Sequence, residues 1–186
     1  MAGLSGEPFG ARSVWCRHLR LPYTRRMEER IVFHYLARGV VIVDGMILLV
    51  HQIGANNTFL PGGHIEKRES AKQALVREIQ EELGVCPTIQ RFLGAVEHAW
   101  PEDTLTNHEI NLVFEVEIEG LVSDAPPTSL EPHLEFLWVE PSQLPDVNLQ
   151  PSALISLLQT GIEGFQAFQA FWGSSLGEPQ SRIGES

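Results

Sequence analysis

The sequence has few cysteines and no long apolar run, and both absences narrow the class of protein. Two cysteines in 186 residues, Cys16 and Cys86, are too few for a disulfide scaffold and lack metal-site spacing. We therefore interpret both as free thiols. No apolar run reaches the roughly 18 residues of a transmembrane helix, and the N-terminus lacks the apolar segment of a signal peptide. These absences predict a cytoplasmic protein with no membrane partner.

Basic residues are scarce beyond residue 30. Residues 1–30 contain six arginines and three glutamates, a net charge of +3, whereas the remainder has seven basic and 21 acidic residues, a net charge of −14. Contacts with nucleic-acid phosphates need lysine and arginine. The acidic remainder therefore argues against a stable nucleic-acid partner and favours a small phosphorylated substrate bridged by a cation.

The length indicates one domain. We interpret residues 1–30 as a flexible N-terminal extension, residues 31–172 as the folded domain and residues 173–186 as a frayed tail. Met27 directly precedes Glu-Glu-Arg and the first strand-like run, so it is a candidate alternative start. The arginines of the extension either bind a phosphate or a partner, or lie on a solvated tail. The solvated tail is favoured because such termini are often disordered.

Alternating and apolar runs predict the strands. Residues 40–43 and 46–50 flank Asp44-Gly45, which is typical of a β-hairpin. Three further strands are predicted over residues 88–96, 109–119 and 134–139, with a turn at 100–103 and a loop to 107. In the second of these strands alternate apolar residues are expected to share one face: Ile110, Leu112, Phe114, Val116 and Ile118.

The C-terminal part is predicted to be helical. Pro151 at the first helical position opens a helix through about Gln159. Four aromatic residues are candidates to continue this helix as an amphipathic segment: Phe165, Phe168, Phe171 and Trp172. That segment either packs on the body or forms the face of a homodimer. Packing is favoured, because aromatic stripes are more often part of a core.

A helix is also predicted from Ala71 to Leu83, directly after a turn at residues 60–63. Ser70 is a good N-cap and forms a capping box with Gln73, while Gly84 suits a left-handed C-terminal residue. Apolar residues recur at four-residue intervals and predict the buried stripe: Ala71, Leu75, Ile79 and Leu83.

Three glutamates of this helix share another face. Glu78, Glu81 and Glu82 are spaced so that their like charges repel, which weakens an isolated helix unless a cation neutralises them. Carboxylate oxygens favour Mg²⁺, or alternatively Mn²⁺, and magnesium is commonly shared with substrate phosphates. Arg77 lies four residues before Glu81 and eight after Glu69, so it can brace either carboxylate. The face therefore suits binding of a polyphosphate.

Residues 63–85 have the pattern G-x5-E-x7-R-E-U-x-E-E-x-G-U, in which U is aliphatic. A solvated acidic helix explains neither the two glycines nor the lone arginine at this spacing. The segment resembles the Nudix box at every defining position, and the chain is similar to Nudix hydrolases over roughly residues 32–160. This resemblance implies an α/β fold, an α/β/α sandwich with a mixed β-sheet. It also implies Mg²⁺-dependent hydrolysis of a nucleoside diphosphate linked to another group.

The resemblance also implies roles for individual residues. Glu78 and Glu82 would be the main metal ligands, Glu81 would bind or support a further metal, and the carbonyl of Gly62 or Gly63 would reach a metal. Glu69 and Arg77 would form a structural ion pair. A further acid outside the box acts as ligand or base in many members, and the candidates here are Glu109 and Glu131. The residues leave open which glutamate is the base.

Substrate contacts are also suggested by the resemblance. Arg38 resembles an arginine that contacts substrate phosphate in some relatives, with a surface ion pair as the alternative. His64 either donates a hydrogen bond to a phosphate or is merely a polar turn residue. Trp100 either stacks on a base or buries itself. Pro101 lies 16 residues after Val85, an offset that resembles the branch that cleaves ADP-ribose.

The expected function is cleavage of a pyrophosphate bond in ADP-ribose, a nucleotide sugar or a nucleoside triphosphate. An alternative is a catalytically silent Nudix module that senses a nucleotide or a partner protein, although silent modules usually have a broken box. A third is Mg²⁺-dependent isomerisation on the same fold. Mg²⁺-dependent release of a nucleoside monophosphate would separate the first hypothesis from the other two.

Overall fold

The computed structural model describes residues 30–102, 105–159, 170–174 and 176. Its elements, in chain order, are β1 Arg30–Val43, β2 Met46–Gln52, β3 Thr58–Phe59, α1 Ala71–Leu83, β4 Thr88–Glu102, β5 Leu105–Glu117, β6 Leu134–Val139, a 3₁₀ turn Pro141–Gln143, α2 Ala153–Gln159 and β7 Phe171–Ser174. No helix in these ranges is long and apolar enough to cross a membrane. Cys86 is free and exposed, while Cys16 lies outside the described residues.

The strands form one mixed sheet in the order β3-β2-β1-β5-β4-β7, and β6 pairs with the other edge of β2. β1 runs parallel to β5 over twelve register pairs from Arg30↔Leu105 to Val41↔Val116. β5 is antiparallel to β4. The predicted hairpin is present between β1 and β2, where Asp44 (φ 52°) and Gly45 (φ 80°) both have positive φ, as a type I′ turn requires.

Two apolar cores separate three layers. Between α1 and one face of the sheet, Leu75 and Ile79 pack against Ala37, Val41 and their neighbours. On the other face, Leu154 and Leu158 of α2 pack in a second core. The fold is therefore the expected α/β/α sandwich around a mixed sheet. α1 and β6 have the predicted bounds, and α2 begins at Ala153, two residues later than predicted.

The turn predicted at residues 100–103 and the loop to 107 are wrong wherever the structure describes them, which leaves out residues 103 and 104. β4 continues to Glu102, β5 already begins at Leu105, and Trp100 pairs with Asn107. Pro101 is tolerated in this strand because β7 pairs with β4 only from Gly94 to Glu97. The missing N–H of a proline can then face the side of β4 away from β5. The start of β1, the end of β4 and the start of β5 together form one end of the sheet, called the sheet extension below.

The apolar residues predicted to share one face do alternate along β5, but that face is buried only towards the end of the strand. Phe114, Val116 and Ile118 are buried, but in the first half of the strand the buried side chains are polar: Asn107, Glu109 and Asn111. At this end of β5 the buried face is therefore the polar one. These polar residues lie on the same sheet face as Arg38, which donates to Asn111.

The predicted helical continuation is also wrong where it can be compared. Phe171 and Trp172 belong to β7, which pairs in parallel with β4, because the edge of β4 offers hydrogen-bonding groups that a strand satisfies. Phe165 and Phe168 lie outside the described residues. The predicted boundary at residue 172 falls inside β7, while residues 1–29 and most of the predicted tail are not described, so the proposed division of the chain stays a prediction.

Candidate active site

Local sequence fixes α1 at both ends. The Ser70 side chain accepts from the backbone N–H of Gln73, and the Gln73 side chain accepts from the Ser70 N–H at 3.0 Å. At the other end Gly84 takes the left-handed conformation, and its N–H donates to the carbonyl of Gln80. Since the unpaired backbone groups of a helix end need partners, these caps set where the glutamate face of α1 begins and ends.

The turn at residues 60–63, called the glycine turn below, lies along the edge of β1. The N–H of Ala37 donates to the Gly63 carbonyl at 2.9 Å, and the N–H of Gly39 donates to the Pro61 carbonyl at 2.8 Å. Gly62 has a φ of 115°, and a Cβ there would lie 2.3 Å from the carbonyl oxygen of Ala37. Glycine is therefore required at position 62 by both conformation and space.

Glu78 lies directly against Gly63. A Cβ on Gly63 would approach the Glu78 carboxyl carbon to 2.5 Å, so the missing side chain leaves the space that this carboxylate uses. The Gly63 carbonyl, a predicted metal ligand, accepts the hydrogen bond from Ala37. A carbonyl oxygen has a second lone pair, so this contact leaves the predicted role of Gly63 open.

Glu82 is buried on the same side of the turn. Its side chain accepts a hydrogen bond from the Gly62 N–H at 3.3 Å, and the residue is only 5% exposed. Burial raises the pKa of Glu82 to about 8, with smaller contributions from Glu78 and Glu131, while Arg38 and the Gly62 N–H oppose the rise. A carboxyl that burial neutralises near pH 7 becomes a good ligand when a cation is supplied.

Arg77 joins the glycine turn to three glutamates. It binds Glu69 through two nitrogens, at 3.0 Å each, so the expected ion pair is present. Its Nη1 donates to Glu78 and Glu81 at 2.9 Å each. Its Nη2 also donates to the His64 carbonyl at 3.0 Å. These contacts raise the pKa of Arg77, with the hydrogen bond to Glu69 as the largest cause, and lower the pKa of Glu69.

The donor set fits a hard divalent cation. Two carboxylates one helical turn apart, Glu78 and Glu82, border the Gly62–Gly63 turn, and a cation would relieve both their repulsion and the burial of Glu82. Glu81 instead points to Arg77 and its side chain is about half exposed. Across the described ranges no three His, Cys, Asp or Glu side chains already form a metal-binding group. The metal assignments therefore stay predictions.

Arg38 lies near three acidic residues: Glu78, Glu82 and Glu109. Its guanidinium donates to the carbonyls of Leu60 and Gly62 and to Asn111 Oδ1. Burial lowers the pKa of Arg38, and the negative charges of Glu109, Glu82 and Glu78 oppose that shift. Because guanidinium matches phosphate geometry, this position suits the phosphate contact predicted for Arg38.

Asn111 was missed by the sequence reasoning. It is completely buried and donates from Nδ2 to Glu109 Oε1 at 2.8 Å, while its Oδ1 accepts from Arg38. Because an arginine can only donate, this contact fixes the orientation of the Asn111 amide and aims its nitrogen at Glu109. A signal was available, since Asn107, Glu109 and Asn111 are polar at every second position of one strand.

The second candidate acid, Glu131, lies at the C-terminal end of α1. The Leu130 N–H donates to the Glu82 carbonyl at 2.8 Å, and the N–H of Glu131 donates to the Ser129 hydroxyl at 3.1 Å. The Glu131 carboxylate lies 3.4 Å from His133. Glu109 thus lies near Arg38, and Glu131 lies near Glu82.

His64 and Trp100 lie towards the extension of the sheet. Burial lowers the pKa of His64, and His34 and Arg38 lower it further. Its Nε2 is 3.0 Å from Nδ1 of His34, a residue that the sequence reasoning also missed. The His34 ring in turn stacks on Trp100. The two predicted substrate contacts are thus connected through His34.

Comparisons with known proteins agree with this geometry. A family profile described as NUDIX domain matches residues 33–158. An ADP-ribose pyrophosphatase of Methanocaldococcus jannaschii is 36% identical over 87 residues, which cover 44% of this chain and 49% of that protein. An RNA pyrophosphohydrolase of Haemophilus influenzae is 39% identical over 62 residues, 32% of each protein. The chain thus spans half or less of the length of these relatives.

Solved structures share the architecture. The crystal structure of a MutT NUDIX hydrolase from Burkholderia pseudomallei superposes with a TM-score of 0.55 and 26% identity, covering 70% of this chain and 99% of that one. The family profile extends over more than half of the chain and includes the glycine turn, α1 and both candidate acids. The chain therefore belongs to the Nudix family.

Proposed function

We propose that the protein is a Mg²⁺-dependent pyrophosphohydrolase that cleaves a nucleoside diphosphate linked to another group, such as ADP-ribose or a nucleotide sugar. The observation that carries this proposal is the approach of Glu78 and Glu82 to the Gly62–Gly63 turn, with Glu82 buried and its pKa raised to about 8. Mn²⁺ is the alternative cation, since it shares the preference for carboxylate oxygen.

The residues around the glycine turn have separate roles in this proposal. Glu78 and Glu82 would hold the cation, with Glu81 and the Gly63 carbonyl in support. When bound, the cation neutralises charge on the pyrophosphate and lowers the pKa of water. Arg38 would contact a phosphate oxygen. The hydrogen bond predicted from His64 to a phosphate would have to come from its Nδ1, because its Nε2 already lies 3.0 Å from His34 Nδ1. Water attacks phosphorus, the P–O–P bridge breaks, and the products are a nucleoside monophosphate and the phosphorylated second group.

We further propose Glu109 as the group that takes the proton from the attacking water. It receives a hydrogen bond from Asn111, which is itself oriented by Arg38, so its carboxylate is held beside the proposed phosphate contact. Glu131 lies instead beside His133. A base held in place by a second residue is the usual arrangement in proton transfer.

Matched variants of Glu109 and Glu131 test which of the two is the general base. Glu109→Gln is expected to lower kcat by about 10²–10⁴-fold, the usual contribution of a general base, and to flatten the acidic limb of the pH–rate profile. Glu131→Gln is expected to have a smaller effect on kcat and to keep that limb. Steady-state kinetics of both folded variants decide the matter. Normal kcat in Glu109→Gln would exclude Glu109 as the base, and only a larger loss in Glu131→Gln would move the role to Glu131 rather than to a box glutamate.

The charge distribution and the position of Pro101 both support ADP-ribose or an ADP-sugar as the substrate rather than RNA. Beyond residue 30 only seven lysines and arginines remain, against 21 acidic residues, so a long RNA lacks a basic surface to bind. The position of Pro101 relative to the box resembles the ADP-ribose branch, and one relative bears that activity in its name. We expect ADP-ribose or an ADP-sugar to be cleaved with a higher kcat/KM than a capped oligonucleotide.

The test is a panel of ADP-ribose, nucleotide sugars, dinucleoside polyphosphates, nucleoside triphosphates and a capped oligonucleotide, each with Mg²⁺ and with Mn²⁺. Release of a nucleoside monophosphate separates hydrolysis from a silent module and from isomerisation. A capped oligonucleotide cleaved more efficiently than every small nucleotide would contradict the proposed substrate class. The RNA pyrophosphohydrolase among the relatives makes this comparison necessary.

A further inference from the structure

The outer edge of β1, on the side away from β5, has no strand partner over its first residues. Further along this edge the Ala37 N–H donates to the glycine turn, and the Tyr35 carbonyl accepts from the Ile65 N–H at 2.9 Å. Because every second residue of a strand turns its backbone groups to the same edge, the N–H and carbonyl groups of Ile31 and Phe33 point there as well. In the part of the chain that the structure describes, no strand or loop bonds to them at this edge.

The sheet face that carries these side chains is apolar and uncovered. Ile31, Phe33 and Tyr35 lie on one face of β1 and are 63%, 60% and 43% exposed. The strand register places Pro101 and Ala99 of β4 on the same face. Neither apolar core includes any of these five residues. An exposed apolar face beside an unpaired strand edge is a surface to which a further strand can add.

The chain just before β1 contains a segment with a matching pattern. Leu19, Leu21 and Tyr23 are apolar at every second position, and Arg20 and Pro22 lie between them. This alternation is typical of a strand with one covered face. The covered face would consist of one leucine pair and a tyrosine, which suits the aliphatic and aromatic side chains exposed on β1.

An antiparallel pairing of this segment with β1 suits both the side chains and the backbone. With Tyr23 opposite Ile31 and Leu21 opposite Phe33, the apolar side chains lie on the exposed apolar face, since directly opposed residues share a face. The same two residues then bond to the free groups at the edge of β1. Pro22 takes the alternate position, where its missing N–H faces away from β1, as proline requires in a sheet. A shift by one residue would aim the proline at β1 and turn the apolar side chains to the other face.

The edge suits this chain's own segment better than a second copy of the chain. Only residues 24–30 separate Tyr23 from Ile31, and closing a short loop costs less entropy than capturing another molecule. The charges agree, because residues 12–26 contain five arginines and no acidic residue, whereas the chain after residue 30 has seven basic and 21 acidic residues. A second copy would instead bring two strongly acidic bodies together.

We propose that residues 19–23 add an antiparallel strand to the free edge of β1 and cover the apolar face of the sheet extension. The surface is formed by Ile31, Phe33 and Tyr35, and its partner is the N-terminal segment of the same chain. Residues 19–23 then belong to the folded domain and not to a solvated tail. This inference is independent of the proposed activity, because it concerns only how the chain pairs.

Amide hydrogen exchange of the full chain, followed by NMR at low protein concentration, tests the pairing at Ile31 and Phe33. Both amides are expected to exchange slowly in the wild type. Leu21→Pro removes an N–H that faces β1 and should speed the exchange of both amides at least about tenfold. Arg20→Pro is the matched control, because the N–H lost there faces away from β1, and exchange should stay slow. Equal acceleration by the two variants would contradict the pairing.

Three other results would overturn the proposal. Ile31 and Phe33 amides that exchange freely in the wild type would show that the edge is open, and slow exchange that survives Leu21→Pro would show that another group covers it. Slow exchange that is lost on dilution, together with a dimer in sedimentation equilibrium, would assign the edge to a second copy. The register has its own check, because it puts the α-carbons of Pro22 and Val32 about 4.5 Å apart. A nuclear Overhauser contact between their α-protons in the monomer would support the register, and its absence while the amides are protected would refute it.

Discussion

Glu82→Gln is expected to lower kcat at least about a hundredfold, the loss seen when a group that stabilises developing charge is removed. The substitution keeps the size of the side chain and its acceptor oxygen for the Gly62 N–H, and removes only the negative charge. Steady-state rates with ADP-ribose and Mg²⁺ measure the effect. The control is Glu119→Gln, at an exposed position after β5, which removes the same charge and should leave the rate unchanged. Near-normal turnover in a correctly folded Glu82→Gln protein would refute the metal-site assignment.

The same substitution should have the opposite effect on stability when no metal is present. Glu82 has its pKa raised to about 8 in the folded protein, from an ordinary value of 4.5. Between these values the unfolded chain has released a proton that the folded protein keeps. The free energy of unfolding therefore falls as the pH rises from about 4.5 to 8. Glu82→Gln lacks this loss and should be more stable at pH 8 by roughly 1–3 kcal/mol.

Denaturant unfolding in EDTA, at pH 5 and at pH 8, measures that difference. Added Mg²⁺ should stabilise the wild type more than the variant, because binding to the folded state alone raises stability. A wild type that is as stable as Glu82→Gln at both pH values would contradict the burial argument. The combination of lost activity and gained metal-free stability distinguishes a ligand from a residue needed for folding.

The parts of the site that sequence predicts are those fixed by near neighbours in the chain. Ser70 and Gln73 set the start of α1 and Gly84 sets its end, so the bounds of the helix could be read locally. The spacing of Glu78 and Glu82 already places them on one face of that helix. The Asp44-Gly45 hairpin is local in the same way, since only its two central residues need positive φ.

The remaining parts depend on pairing across long stretches of chain. The region around Pro101 is paired strand because β4 pairs with β5 as far as Glu102↔Leu105, and β5 in turn lies beside β1 from Arg30↔Leu105 onward. The burial of Asn107, Glu109 and Asn111 also needs His34, Arg38 and Trp100 from other strands. Alternation in a single strand defines two faces without saying which is covered, and the expectation that apolar residues lie inside then favours the wrong one.

The contacts of Arg77 show the same division between local spacing and tertiary structure. Its pairing with Glu69, eight residues earlier, could be predicted from the family pattern. Its simultaneous bonds to Glu78, Glu81 and the His64 carbonyl depend on how the turn folds over α1. Arg77 is therefore more than one half of an ion pair, because it links the glycine turn to two of the three glutamates of α1.

Arg77→Ala is accordingly expected to lower both stability and activity. Glu78, whose side chain is 19% exposed, loses a charged partner, and an unsatisfied group of this kind costs roughly 1–3 kcal/mol. Without Arg77 the Glu78 carboxylate is no longer held against Gly63, so kcat should fall together with the apparent affinity for Mg²⁺. Denaturant unfolding and Mg²⁺ titration of the activity measure the two effects.

Two further variants test whether the geometry of the Arg77 guanidinium matters beyond its positive charge. Arg77→Lys keeps the positive charge but cannot make the two parallel bonds to Glu69 or reach the turn and three carboxylates at once, so it should recover only part of the loss. Arg91→Ala removes one partner of the surface pair with Glu115, where the expected cost is below about 1 kcal/mol and activity should not change. If Arg77→Lys behaved as the wild type, charge alone would suffice. If Arg77→Ala had no larger effect than Arg91→Ala, Arg77 would be an ordinary surface arginine, and the glycine turn would have to be held in place by its backbone bonds to β1.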